Sequence, residues 1–222
     1  MNLSAFDIIG PVMIGPSSSH TAGAVRLGQM ARAVLDQVPA KAKILLHGSF
    51  AETYKGHGTN LALVSGLLGM ATDDERIPKA LELARNAGME VEFIPTDLGD
   101  VHPNTVRIEM TGKGDRNVSI LGSSIGGGRI RITKLDDFPV DLSGDFYTLI
   151  VVHQDQPGVV ARVTTLLAGA QVNIAQMRVS RQKKGAQALA VVETDQKLED
   201  TVVEMVRGLP AVLTAMAAKP LA

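Results

Sequence analysis

The sequence predicts an α+β chain of two domains, and three observations carry that prediction. Apolar residues switch repeatedly between the spacing of a helix face and short β-branched runs. The first part is rich in small residues and glycine turns, whereas the last part is regular. Between them, residues 136–145 are acidic, contain Pro139 and Gly144, and show no sustained period, so they read as a linker. The expected organisation is a first domain at 1–135, a linker at 136–145 and a second domain at 146–222.

In the first domain, residues 22–35 put Ala24, Leu27, Ala31 and Val34 on one helical face, with Ser19 or Thr21 as the cap. Residues 43–47 read as a strand that Gly48 ends. Gly56-His57-Gly58 precedes an apolar segment at 61–70, and 78–87 carries a third helical pattern with Gly88 as its stop. Strands are expected at 91–94, 106–110, 118–121 and 130–132, which makes a mixed α/β layer structure.

The second domain opens with a β-branched run at 146–153. Pro157-Gly158 then starts a helix carrying Val159, Val163, Leu166 and Leu167, a place where Pro suits the first turn. Strands at 172–179 and 188–194 flank the polar turn 181–185 and form a hairpin. Leu198, Val202, Met205, Val206 and Leu209 mark another helical face, and the final run at 211–217 fits a strand or a helix. With a last strand, the order is βαββαβ, the ferredoxin-like split βαβ arrangement.

Composition narrows the function classes. The chain has 222 residues, 45% hydrophobic and 20% charged, with a net charge of -1. That balance provides no overall field toward nucleic acid or an anionic membrane. Cys is 0, so the chain supplies no disulfide, thiolate nucleophile or thiolate ligand. Aromatic residues are 3% with no Trp, which disfavours base-stacking platforms. No stretch approaches the roughly 18 apolar residues of a membrane span, and the first twenty residues carry no basic leader. A cytoplasmic enzyme or regulator is the expectation.

Several segments concentrate chemistry. GPSSSHTAG at 15–23 places Ser17, Ser18, Ser19, His20 and Thr21 at a helix start, where free N–H groups and the helix dipole favour an anion. The plainer reading is a capped helix with His20 in a solvated turn. In the run from His47-Gly48-Ser49 to Asn60, glycines flank His57 and allow a ligand close approach, so its imidazole could serve as general base. A tight turn with an incidental His is the alternative. Asp100 to Thr105, with His102-Pro103, is first of all a turn signal. Gly122 to Arg129 could form an N–H nest for a carboxylate, with Gly126 and Gly127 at its centre and Arg129 as counter-charge, or simply a turn. It has neither the Walker Lys nor a GxGxxG spacing. No nucleophile elbow and no HExxH pair occur, which leaves hydrolase and metal-site readings without support. In the second domain, the loops that carry Asp155, beside His153, and Asn173 can lie at one edge of a split βαβ fold, where the two residues could receive the amino and carboxylate groups of an amino acid, or they are simply a capped helix and a turn Asn.

GPSSSHTAG, HGSFAETYKGHGT, HPNT and SSIGGG occur together and in this order. The set resembles the beta chain of the bacterial iron-sulfur L-serine dehydratases, over essentially the whole length. The resemblance implies a first domain similar to the allosteric substrate-binding domain of certain D-3-phosphoglycerate dehydrogenases. It implies an ACT domain for the second, carried by DQPGVVARVTTLLAGAQVNIAQM at 155–177. It further implies deamination of L-serine to pyruvate and ammonia without pyridoxal phosphate, at a 4Fe-4S cluster held by cysteines of a partner alpha chain. By the same resemblance Ser17, Ser18, Ser19, His20 and Thr21 line the substrate cleft, together with Gly126 and Gly127. His57 is the first candidate for proton transfer and His20 the second. His153, Asp155 and Asn173 match an ACT effector pocket, with Asp155 standing where serine-binding relatives often carry Asn. A carboxylate there repels an effector's carboxylate and accepts its ammonium. Pairing of copies through ACT or first-domain surfaces is the habit of such domains. The competing reading keeps the fold and makes the chain a non-catalytic amino-acid-sensing subunit.

Overall fold

The computed structural model describes residues 11–221; the expectation about a leader falls in residues 1–10, outside the described residues. Two compact units divide the chain, one drawn from residues up to 136 with 141–143, the other from 137–140 with 144–221.

The first unit begins with a wide helical turn at Ser18–Ala22 that runs into helix α1, Gly23–Leu35. The expected caps are corrected here. Ser17, in extended backbone, accepts the His20 N–H, because the wide turn starts the helix earlier than the apolar period does. Strand β1, Lys41–Leu46, is followed by a short helix α2, Gly48–Thr53. Gly48 therefore starts a helix as well as closing the strand. That helix is too short to show a period, and Phe50 is its buried anchor. Helix α3, Thr59–Leu67, a single 3-10 turn at Ile77–Lys79 and helix α4, Ala80–Asn86, complete the helical part, with Gly88 left-handed beyond the end as expected.

Helices α1 and α3 cross with backbones in contact. A Cβ on Gly28 would stand 2.3 Å from Leu63 O, and one on Gly66 2.0 Å from Val25 O. Only glycine permits that approach. It lets Leu27, Met30, Ala31 and Leu63 bury fully.

Strands β2 (Glu90–Pro95), β3 (Thr105–Thr111), β4 (Asn117–Gly126), β5 (Arg129–Leu135) and β6 (Phe138–Leu142) join β1 in a six-stranded sheet of order β2-β1-β3-β4-β5-β6. β1 and β2 are parallel, and the β1-β3, β3-β4 and β4-β5 pairs are antiparallel. Strand β6 lies inside the stretch read as a linker. Phe138, Val140 and Leu142 alternate with Pro139 and Asp141, a period of two that the Pro and the acid disguised.

The second unit holds β7 (Tyr147–Gln154), α5 (Val159–Gly169), β8 (Ile174–Arg181), β9 (Gln187–Thr194), α6 (Asp200–Arg207) and β10 (Val212–Ala218). Its sheet order is β10-β7-β9-β8, all pairs antiparallel, which is the expected ferredoxin-like layout. The open choice at the last run resolves to a strand, because pairing with β7 outweighs the helix preference of its alanines. Pro157 stands outside its helix. Gly158, left-handed at φ 85°, takes the cap position and Val159 begins α5. Leu149, Val151, Ala190, Val192 and Ala215 of the sheet pack with Val163, Leu167, Val202 and Val206 of the helices. Each buried Val or Leu side chain there contributes about 1.5–3 kcal/mol before entropy is counted.

Candidate functional site

The chemistry-bearing segments of the first unit meet at one end of its sheet. Leu46, at the carboxyl end of β1, pairs with Val106 near the start of β3, and Thr105 pairs with Ser123 near the carboxyl end of β4. His47, the HPNT loop and SSIGGG are thus neighbours. The HPNT loop ties them together: Thr105 Oγ1 donates to His102 O at 2.5 Å, Ser123 Oγ lies 2.7 Å from Thr105 Oγ1, and the Ser124 N–H donates to Asn104 O. Ser124 Oγ occupies the place where a side chain on Gly23 would stand, which brings β4 against the start of α1.

His20 is the centre of the cluster. It is 9% exposed. Its Nε2 lies 3.2 Å from Ser49 Oγ, its Nδ1 3.4 Å from Ser17 Oγ, and its ring meets His57 edge to face with centroids 4.9 Å apart. Phe50 covers another edge at 5.2 Å. Burial, then the charge of His57, hold the His20 imidazole below the usual histidine range, against a smaller upward pull from the Ser49 backbone. His57 is exposed, between Gly56 and Gly58, with its N–H donating to Thr53 O. The arrangement is one exposed imidazole able to reach a ligand and one buried imidazole kept neutral beside it.

Other predicted residues fall around this pair. Ser18 and Ser19 are half-buried on the wide turn. Thr21 is 2% exposed and its Oγ1 has no hydrogen-bond partner. Gly126 and Gly127 turn the β4–β5 hairpin just beyond Ser124, and Arg26 Nη1 donates to the neighbouring Gly128 O at 3.0 Å. Arg129 is exposed at the start of β5. His47 and His102 play local parts: His47 Nδ1 accepts the Leu98 N–H at 3.1 Å, and His102 Nδ1 accepts the Asn104 N–H at 3.1 Å.

Four polar side chains lie within the segments the sequence marks but carry no individual role there. Ser49 Oγ touches His20, and Thr59 Oγ1, Asn60 Oδ1 and Ser124 Oγ are buried without a hydrogen-bond partner. Buried orphan oxygens are uncommon and mark places that a ligand can satisfy. Thr59 and Asn60 stand two and three positions after His57, a proximity that marks them. No spacing signal pointed to Ser49 or Ser124.

The effector triad of the second unit requires a correction. Asp155 follows Gln154, which pairs with Gln187, whereas Asn173 precedes Ile174, which pairs with Thr194 and through it with Tyr147. The two residues stand at opposite ends of the sheet, because β7 and β8 run parallel and the loop that leaves β7 is therefore at the other end from the loop that enters β8. Asp155 accepts from Arg181 Nη1 at 2.8 Å and from the Gly185 N–H at 3.0 Å. The Gly185 N–H first, then Arg181, hold its carboxyl below the usual range. Asn173 Nδ2 donates to Asp195 Oδ2 at 2.6 Å. His153 is 2% exposed, its Nδ1 lies 2.8 Å from Gln154 O, and its Nε2 is unpartnered beside an apolar crevice of Val159, Val163, Met177 and Val192.

No group of three metal-ligating side chains occurs among the described residues, and the chain has 0 Cys. An iron-sulfur cluster therefore does not fit this chain's own donors.

Fold and site define a two-unit α+β protein: a buried-and-exposed histidine pair at one end of a mixed sheet, followed by a ferredoxin-like unit. The family model described as serine dehydratase beta chain matches residues 4–90, and the ACT domain model matches 147–211. The chain is 46% identical over 211 residues to the probable L-serine dehydratase, beta chain, of Bacillus subtilis (strain 168), covering 95% of each. It is 38% identical over 213 residues to the L-serine dehydratase, beta chain, of Peptoniphilus asaccharolyticus, covering 96% of each. A D-3-phosphoglycerate dehydrogenase of Synechocystis is 26% identical over 195 residues, 87% of this chain and 34% of that protein. This chain belongs to the L-serine dehydratase beta chain family and carries a C-terminal ACT domain.

Proposed function

We propose that this chain is the beta subunit of a two-chain L-serine ammonia-lyase that converts L-serine to pyruvate and ammonia without pyridoxal phosphate. The observation that carries the reading is the contact between buried His20 and exposed His57 at the end of the sheet, ringed by hydroxyls. His57 removes the α-proton of serine. His20, held by Ser17 and Ser49, shapes the cleft wall beside His57. Ser18, Ser19, Thr21 and the Gly126-Gly127 turn bind the amino acid's carboxylate at the start of the helix, where an anion is favoured, while Ser17 holds the start of the wide turn and His20 in place. After water leaves, the aminoacrylate tautomerises and hydrolyses without help from the protein.

The 4Fe-4S cluster belongs, in this proposal, to a cysteine-containing alpha chain. The lack of cysteine here supports that division. No helix among the described residues is long and apolar enough to cross a membrane, in keeping with a proposed cytoplasmic site of action. The sensing alternative needs a site other than one that joins Asp155 and Asn173 within a single copy of the second unit.

The test is His57→Ala in the assembled enzyme. Turnover disappears while the two chains still co-purify; turnover at the wild-type rate would remove His57 from the role of base.

A further inference from the structure

Helix α2 presents two consecutive side chains to His20: the Ser49 hydroxyl at Nε2 and the Phe50 ring at an edge. The helix is itself held. Thr53 Oγ1 donates to Ser49 O at 2.7 Å, and the Phe50 N–H donates to Pro103 O at 3.5 Å. On the other side, Ser17 Oγ already accepts the His20 backbone N–H, which leaves its own proton to point at Nδ1, 3.4 Å away. An imidazole that accepts at Nδ1 carries its proton at Nε2 and donates it to Ser49 Oγ. Among the described residues, His57 is the titratable ring in contact with His20, whose other neighbours are Ser17, Ser49 and Phe50.

We propose that Ser49 is a positioning residue: its hydroxyl accepts from His20 Nε2 and pins that ring edge-on to His57 in a single tautomer. Ser49 acts through His20, not on the ligand. A ring held at both nitrogens cannot rotate into the space His57 needs, and His57 keeps one approach to its substrate. The consequence for turnover rests on the lyase reading; the geometry belongs to the chain alone.

The experiment uses the full chain labelled with 15N at histidine and long-range 1H–15N spectra of the imidazoles. Wild-type His20 is expected as the Nε2–H tautomer. Ser49→Ala moves it toward a mixture of tautomers, Ser49→Thr restores it, and His102, outside the cluster, does not change. In the assembled enzyme Ser49→Ala lowers kcat about tenfold, the scale of one buried donor left unsatisfied, with KM within about twofold, and Ser49→Thr recovers it. A His20 spectrum unaltered by Ser49→Ala overturns the proposal whatever the turnover, and so does a wild-type His20 protonated at Nδ1, a result that needs no variant to fold. A shifted His20 spectrum in a chain whose assembled wild-type enzyme does not deaminate serine supports the positioning role and overturns the lyase reading instead.

Discussion

Gly48 packs directly on Pro103: a Cβ at Gly48 would lie 2.8 Å from Pro103 O and 3.0 Å from Pro103 Cα. Its φ is 52°, left-handed as well as crowded. This one contact explains why HGS and HPNT act as a unit, since the loop that orders β3 also seats the helix that carries Ser49. Gly48→Ala is therefore expected to cost about 2–4 kcal/mol, combining left-handed strain with a backbone clash. Urea unfolding of the isolated chain measures it, and an unmoved midpoint would show that the two segments are not in register as described.

His20 makes stability depend on pH in a definite direction. Its folded value is lowered, so between the unfolded value near 6.5 and that lower folded value the unfolded chain binds the extra proton. The stability His20 contributes is present above pH 6.5 and is lost as pH falls through the folded value. Denaturant midpoints of wild type and His20→Gln at pH 7.5 and 5.5 are expected to differ in slope, the wild type falling further. Equal slopes would mean that burial does not penalise the charged ring.

Asp155 closes the β8–β9 turn onto the end of β7 through Gly185 and Arg181. Asp155→Asn is expected to speed hydrogen exchange at the Gly185 amide while leaving the amides of β9 protected. In the wild type the same release occurs only below the usual Asp range, because the folded carboxyl is held low. Uniform exchange across the hairpin in both proteins would contradict this clasp.

Ala211 adopts φ 68°, and its carbonyl accepts the Gln154 N–H at 2.8 Å. A residue with a Cβ is strained there. Ala211→Gly is expected to raise stability by about 0.5–1 kcal/mol, the relieved strain exceeding the entropy glycine adds to the unfolded chain. A lower melting temperature would place the strain elsewhere.

What was legible in the residues follows a physical rule. Helix α1 shows itself by period, because it buries one face, and β7 and β9 show themselves as continuous apolar runs, because they are buried almost throughout. Helix α2 and strand β6 do not: six residues hold too few turns, and Pro139 with Asp141 interrupts the alternation. Local motifs singled out His20 and His57, yet their contact is a tertiary fact. Ser49 meets His20 across 29 positions, and Ser124 meets Gly23 between sheet and helix, separations over which no pattern speaks. Asp155 and Asn173 do not meet within one copy, because strand direction, not loop composition, decides which end of a sheet a residue occupies.

The most direct measurement of the central claim is pyruvate release from L-serine under strictly anaerobic conditions, with this chain alone, the cysteine-containing alpha chain alone, and the two combined. Activity confined to the mixture is the predicted result, and it makes His57 and His20 parts of a shared active site. Full activity of the alpha chain alone, unchanged when this chain is added, would contradict the account and leave the histidine pair without a catalytic role.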